Sequence, residues 1–281
     1  MLNFPKIKKY LFKLPGYFLV IAWCAFTFVV IGWIIAASFS TSRNIFAGDM
    51  FASGLNSGNY VKAWVNNSVS VFFTNSIIYT FSSIFGVLAI SAPCAYALAR
   101  FSFRGNRLVQ NLFVSTMGIP AIMIILPLFS LFTSMRLTNS RWMLIILYIC
   151  INVPFTVFFL MAFFRSLSPF FEEAAAIDGC GPIRTFWVIM LPLAQPGIIT
   201  VTIFNFITIW NEYFMAMIFA SKTDLRPVSV GLFTMVQSMR YTGDWAGMFA
   251  AVVIVFMPTF VLYVFLSEKI IAGVTGGAIK G

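Results

Sequence analysis

Side chains able to do acid–base or metal chemistry are scarce in this 281-residue chain, which has eight Asp and Glu and no His. The missing His removes the commonest general base and metal ligand. Asp49, Asp224 and Asp244 fall in polar loops, and Glu268 sits at the end of the last apolar run. Glu172, Glu173 and Asp178 cluster in one short polar stretch, and only Glu212 lies within an apolar run. No G-x-x-x-x-G-K-[ST] phosphate loop is present, and no Ser–His, paired-Asp or zinc motif occupies the apolar segments. Cys24, Cys94, Cys150 and Cys180 stand singly, with no CxxC. The chain therefore reads as a non-enzyme that binds no metal and no cofactor of its own, and its work must pass through a partner.

The polar stretch offers a surface for that partner. Ser168 before Pro169 suits an N-cap followed by proline at the first helical position, where a missing N–H costs nothing. Glu172 and Glu173 then lie near the positive end of the helix dipole, and Gly179 can close the helix in a left-handed conformation. The pattern predicts one short helix from Pro169 to about Asp178. Phe170, Ala174 and Ile177 share a face, with Phe171 and Ala175 beside them. Small alanines would let another surface approach, while the acids could take up its arginines or lysines. A second helical piece begins at Gly181-Pro182 and carries Ile183, Phe186, Trp187, Met190 and Leu191 until Pro192, which is expected to stop it.

The elements around this loop follow from composition. Hydrophobic residues make up 60% of the chain and charged residues 9%, where a soluble domain carries roughly 25% charged residues. With a mean hydropathy of +0.95, the chain belongs in a bilayer. A span needs about 20 apolar residues, and six segments qualify: 17–37, 71–99, 108–132, 142–164, 197–220 and 246–266. Pro93 could kink the second. Lys6, Lys8, Lys9 and Lys13, then Arg100, Arg104, Arg107, Arg165, Arg184, Lys269 and Lys280, fall on one side of this layout, and fewer basic residues fall on the other. The positive-inside rule places both termini and the Glu172 loop in the cytoplasm. The basic N-terminus followed by an apolar run has the look of a secretory signal, but the run is too long for a cleaved one. The net charge of +10 is scattered over both faces; it reflects topology and points to lipid, with no nucleic-acid partner. The chain divides into a cytoplasmic segment 1–16, a first span with an extracytoplasmic loop 17–68, a five-helix core 69–266 containing loop 165–192, and a tail 267–281.

Glu173-Ala174-Ala175, Gly179 and Ile189-x-Leu191-Pro192 keep the spacing Glu-Ala-Ala, three residues, Gly, nine residues, Ile-x-Leu-Pro. That pattern resembles the EAA loop of binding-protein-dependent ABC importer permeases. Cys180, where Ala is usual, departs from the fuller carbohydrate-family form. Asn59-Tyr60, Asn75-Ser76-Ile77, Tyr96 to Phe101, Trp210-Asn211-Glu212-Tyr213 and the tail 272–281 extend the likeness to the carbohydrate-uptake class, the tail being similar to the maltose-type subunit with the shorter N-terminal region. The resemblance implies an all-α membrane protein of the type I importer permease fold, multi-pass in the cytoplasmic (inner) membrane of a prokaryote. It implies a second homologous permease, two cytoplasmic ABC ATPase subunits that hold ATP and Mg, and an extracytoplasmic solute-binding protein. Glu172, Glu173, Ala174, Ala175, Ile177, Asp178 and Gly179 would couple to the ATPase, and Gly276, Gly277, Lys280 and Gly281 would enter the ATPase interface. The implied function is alternating-access import of a sugar, polyol or oligosaccharide.

Thr202, Asn205, Thr208 and Glu212 recur at helical spacing along the fifth span. An ionisable group in a membrane must face protein or water. Asn205, Thr208 and Glu212 are therefore candidates for a translocation path or gate, with interhelical hydrogen bonding that orients the span as the equal alternative. Two other function classes stay open. An ion-coupled secondary carrier would need more intramembrane ionisable residues and broken-helix repeats, and a non-transporting membrane scaffold would need no polar path.

Overall fold

A computed structural model describes the backbone of residues 4–278 and the side chains of residues 15–268 except 121 and 240. All regular structure among the described residues is helical: α1 (Phe4–Ser38), α2 (Ser42–Ala47), α3 (Gly58–Val61), α4 (Val69–Arg100), α5 (Asn106–Met117), α6 (Ile125–Ser134), α7 (Arg141–Ser166), α8 (Phe170–Ile177), α9 (Pro182–Thr185), α10 (Leu191–Leu193), α11 (Gln195–Trp210), α12 (Phe214–Phe219), α13 (Val228–Thr242) and α14 (Trp245–Ala278). Helices are what a bilayer demands, because each satisfies its own backbone N–H and C=O groups. Segments Pro15–Ser38, Val69–Arg100, Arg141–Ser166 and Trp245–Glu268 are each long and apolar enough to cross a membrane. Two bent pairs, α5 with α6 and Pro182–Leu193 with α11, bring the total to six if each is one span.

Four expectations from the sequence need correction. The third span, expected to run unbroken over 108–132, turns by 95° between α5 and α6. Gly118 and Pro120 lie at the turn; proline lacks the N–H and pushes its predecessor out of the helical region. The fifth span, expected over 197–220, stops at Trp210 and restarts at Phe214, so Glu212 lies beyond the helix that carries Asn205 and Thr208. Pro192 does not stop the second loop helix, which continues to Leu193 and then bends by 72° into α11. The turns at Phe186–Met190 are π-helical, and this widening relieves the clash between the Pro192 ring and the preceding turn. The stretch between the fifth and sixth spans, read as loop, contains α13.

The chain forms two compact units. The first comprises residues 1–69 and 234–256. Its polar joints are local. Asn59 Nδ2 donates to the carbonyls of Ser38 at 2.9 Å and Ser40 at 2.7 Å, satisfying the end of α1. Lys62 Nζ meets Asp244 Oδ2 at 2.9 Å, and Trp33 packs edge-on against Phe249.

The second unit comprises residues 70–233 and 257–281. Its core joins α4, α7, the Phe186–Met190 turns and α11 through Ala95, Tyr96, Leu160, Phe164, Phe186, Met190 and Val201. Small residues let these helices approach closely: a Cβ on Gly197 would lie 2.6 Å from the Phe163 ring. At the other end of α4, Asn75 Nδ2 donates to the carbonyls of Asp224 and Arg226 at 2.7 and 3.1 Å. The Tyr79 hydroxyl donates to Leu225 O at 2.8 Å, and Ser76 Oγ accepts from Val228 N at the start of α13.

Candidate coupling site

Helix α8 is set by its ends. Ser168 Oγ accepts from Phe170 N at 3.3 Å, while Glu172 and Glu173 stand in the first turn, where the helix dipole favours negative charge. At the other end Gly179 has φ +75°. Gly179 N donates to Ala176 O at 3.1 Å and Cys180 N to Ala175 O at 2.8 Å, the paired bonds of a Schellman turn that need a left-handed residue between them.

The helix has an inner and an outer side. Ala175 is 2% exposed. Arg100 Nε lies 3.3 Å from Glu172 Oε2 without hydrogen-bond alignment, and Arg100 Nη2 donates to Leu167 O at 2.7 Å. One arginine at the end of α4 therefore holds both the acid of α8 and the backbone that leads into it. The Tyr96 ring lies tilted 5.1 Å from that of Phe186 and edge-on 5.5 Å from that of Phe164. A pocket of about 330 Å³ opens beside these groups, lined by Tyr96, Arg100, Glu172, Cys180 and Thr185 among others. On the outer side Glu173, Ile177, Asp178 and Gly179 are exposed and Ala174 is half-buried. Phe170, Ile183, Trp187 and Val188 are exposed as well. The seven residues expected to couple are thus divided: Glu172 and Ala175 engage the chain's own helices, and the others remain accessible or partly so.

The candidates for a path are dispersed. Asn205 is 1% exposed, and its Nδ2 donates to Thr156 Oγ1 of α7 at 3.0 Å. Thr208 is exposed. Glu212 sits in the break between α11 and α12, where Oε1 accepts from Met215 N at 2.7 Å and Oε2 from Ala216 N at 3.0 Å. The Tyr148 hydroxyl of α7 donates to Oε2 at 2.9 Å, and Ser229 Oγ donates to the Glu212 carbonyl at 2.5 Å. A carboxylate at the head of α12 satisfies amide donors that a membrane would otherwise leave bare. Lys280 and Gly281 lie outside the described residues, and Gly276 and Gly277 lie beyond those with described side chains. Arg100 and Tyr148 went unrecognised in the sequence as partners of Glu172 and Glu212. Arg100 stands inside the Tyr96 to Phe101 stretch that carried part of the likeness, which was its only signal.

No group of three or more His, Cys, Asp or Glu that could hold a metal occurs among the described residues. A half-buried acid faces the chain's own helices, an accessible helix face lies on the outside and a shared core lies beneath, on a multi-pass membrane protein. The chain belongs to the family described as binding-protein-dependent transport system inner membrane component, whose model matches residues 87–274. It is 34% identical over 263 residues to the diacetylchitobiose uptake system permease protein NgcG of Streptomyces coelicolor, covering 93% of this chain and 87% of that protein. It is 27% identical over 278 residues to the trehalose/maltose transport system permease protein MalG of Thermococcus litoralis, covering 98% and 99%. A chain of a bacterial ABC transporter involved in the import of the acidic polysaccharide alginate superposes with a TM-score of 0.82 at 22% identity, covering 93% of this chain and 97% of that one. The protein is accordingly a transport component of the inner membrane, built on the importer permease fold.

Proposed function

We propose that this chain is one of two homologous membrane subunits of an ATP-driven importer for a sugar, polyol or oligosaccharide. Two ABC ATPase subunits would bind ATP and Mg on the cytoplasmic side, and an extracytoplasmic binding protein would deliver the solute. The observation that carries the reading is α8, closed by the left-handed Gly179, exposed along Glu173 and Ile177 and held to α4 through Arg100. When the ATPases close, this short rigid helix would be displaced, and the core shared by α4, α7 and α11 would carry the displacement into the spans. The chain itself supplies no catalytic group. The substrate class is drawn from relatives named for diacetylchitobiose and for trehalose/maltose.

Reconstitution tests the assignment. The chain would be co-purified with its partner subunits in proteoliposomes, given internal ATP and external binding protein, and assayed for labelled sugar uptake. Uptake should stop without ATP and survive collapse of the proton gradient. Uptake that follows the proton gradient and ignores ATP would place the chain among ion-coupled carriers, and no uptake of any sugar, polyol or oligosaccharide would favour a scaffold.

A further inference from the structure

Two cavities lie on the same three helices. The first, about 460 Å³, is at the cytoplasmic ends of α4, α5 and α7 and is lined by polar and basic groups that include Asn106, Arg107, Gln110 and Arg165. The second, about 440 Å³, lies deeper along the same helices and is lined by Leu112, Phe113, Ile149 and Val153 among other apolar residues. From Arg107 to Phe113 the rise along α5 is about 9 Å, the scale on which a phospholipid changes from phosphate to hydrocarbon.

Charge distinguishes this groove from ordinary lipid-facing surface. The ion pairs among the described residues are Lys62–Asp244 and Arg100–Glu172, so Arg107 and Arg165 have no carboxylate partner there. Arg165 is nevertheless oriented, its Nη2 donating to Gln110 Oε1 at 2.8 Å, and Gln110 in turn donates to the side chain of Asn106 and to Leu98 O. A guanidinium held by a neutral amide keeps its full charge and its remaining donors for a ligand. Phosphate oxygens match those donors bidentately, and basic pockets between spans at the cytoplasmic face favour acidic head groups.

We propose that this groove is a binding site for an anionic phospholipid of the cytoplasmic leaflet, with the phosphate on Arg107 and Arg165 and one acyl chain along Leu112, Phe113 and Val153. The site lies apart from the outer face of α8 and goes beyond the transport assignment, requiring only that the chain sit in the membrane in the stated orientation.

The test is native mass spectrometry of the full-length chain in its assembled, delipidated transporter, titrated with dioleoylphosphatidylglycerol and with dioleoylphosphatidylcholine. Phosphatidylglycerol should bind roughly tenfold tighter, and Arg107→Gln with Arg165→Gln should abolish that preference. Leu112→Trp, which fills the groove and leaves the charges, should weaken both lipids. If the double variant does not assemble, Arg107→Gln alone, at an exposed position, should still lower the preference several-fold. Equal binding of the two lipids by the unmodified chain would overturn the proposal. Displacement of phosphatidylglycerol by millimolar inorganic phosphate, with no effect of Leu112→Trp, would reassign the pocket to free phosphate. Loss of the ATPase subunits from the double variant with lipid binding unchanged would reassign the arginines to the partner.

Discussion

Arg100 Nε and Glu172 Oε2 stand 3.3 Å apart, joining the last turn of α4 to the first turn of α8. Their side chains are only 12% and 22% exposed, so solvent screens the pair less than it would an open surface ion pair. Glu172→Gln leaves the Arg100 charge partly buried without its counter-ion, a loss of roughly 1–3 kcal/mol of local stability. The expected outcome is a transporter that assembles and hydrolyses ATP but imports several-fold fewer sugars per ATP. The charge swap Arg100→Glu with Glu172→Arg should recover part of the ratio. An unchanged ratio in Glu172→Gln would remove the pair from the coupling path.

Gly179 separates backbone strain from partner contact. Its φ is +75°, and a Cβ placed there meets nothing within 4 Å in the chain itself. Gly179→Ala should therefore cost only the left-handed backbone penalty, roughly 1–2 kcal/mol. Asp tolerates that backbone better, so Gly179→Asp should be the milder substitution in thermal unfolding and the more damaging one in transport, because it adds charge to an accessible face. Normal uptake by Gly179→Asp would show that no partner approaches this turn.

How much of this was legible without coordinates depends on how far each signal reaches. Both ends of α8 were readable from Ser168-Pro169 and Gly179 because capping is stereochemistry within a few residues. The long spans were readable because hydropathy accumulates over 20 residues, and the same averaging hid the break at 211–213, where apolar residues continue on either side. Helix α13 was lost because Ser229, Gln237 and Ser238 dilute its apolar pattern and because its first amide is capped by Ser76, 152 residues away. The inward turn of Glu172 depends on Arg100 in another helix, and no local rule connects the two.

Glu212 and Tyr148 provide a second test. The carboxylate receives two backbone amides of α12 and the Tyr148 hydroxyl. Glu212→Ala should destabilise the solubilised chain by more than Tyr148→Phe, each by roughly 1–3 kcal/mol. A double-mutant cycle in SDS unfolding should show coupling of about 1 kcal/mol. Simple additivity would mean that the hydroxyl does not act through the Glu212 carboxylate.

Helix contact predicts a steric effect at Gly231. A Cβ there would run into the Phe72 ring of α4, whereas one on Gly32 meets nothing. Gly231→Ala should destabilise the chain by about 1–3 kcal/mol through overpacking, and Phe72→Leu should relieve part of that. Gly32→Ala should stay within about 0.5 kcal/mol of the parent in the same thermal unfolding experiment. Equal midpoints for both glycine variants would contradict the close approach of α13 to α4.

Ala175 is 2% exposed and Ile177 is 87% exposed, although they are two residues, about 200° of helical rotation, apart. One residue inserted between Ser168 and Ala175 would rotate everything beyond it by about 100°, carrying Ile177 toward the chain's own core and Ala175 toward solvent while the composition hardly changed. The information in this segment therefore resides in its length as well as in its letters: among related chains, insertions or deletions between the proline and the left-handed glycine should be missing.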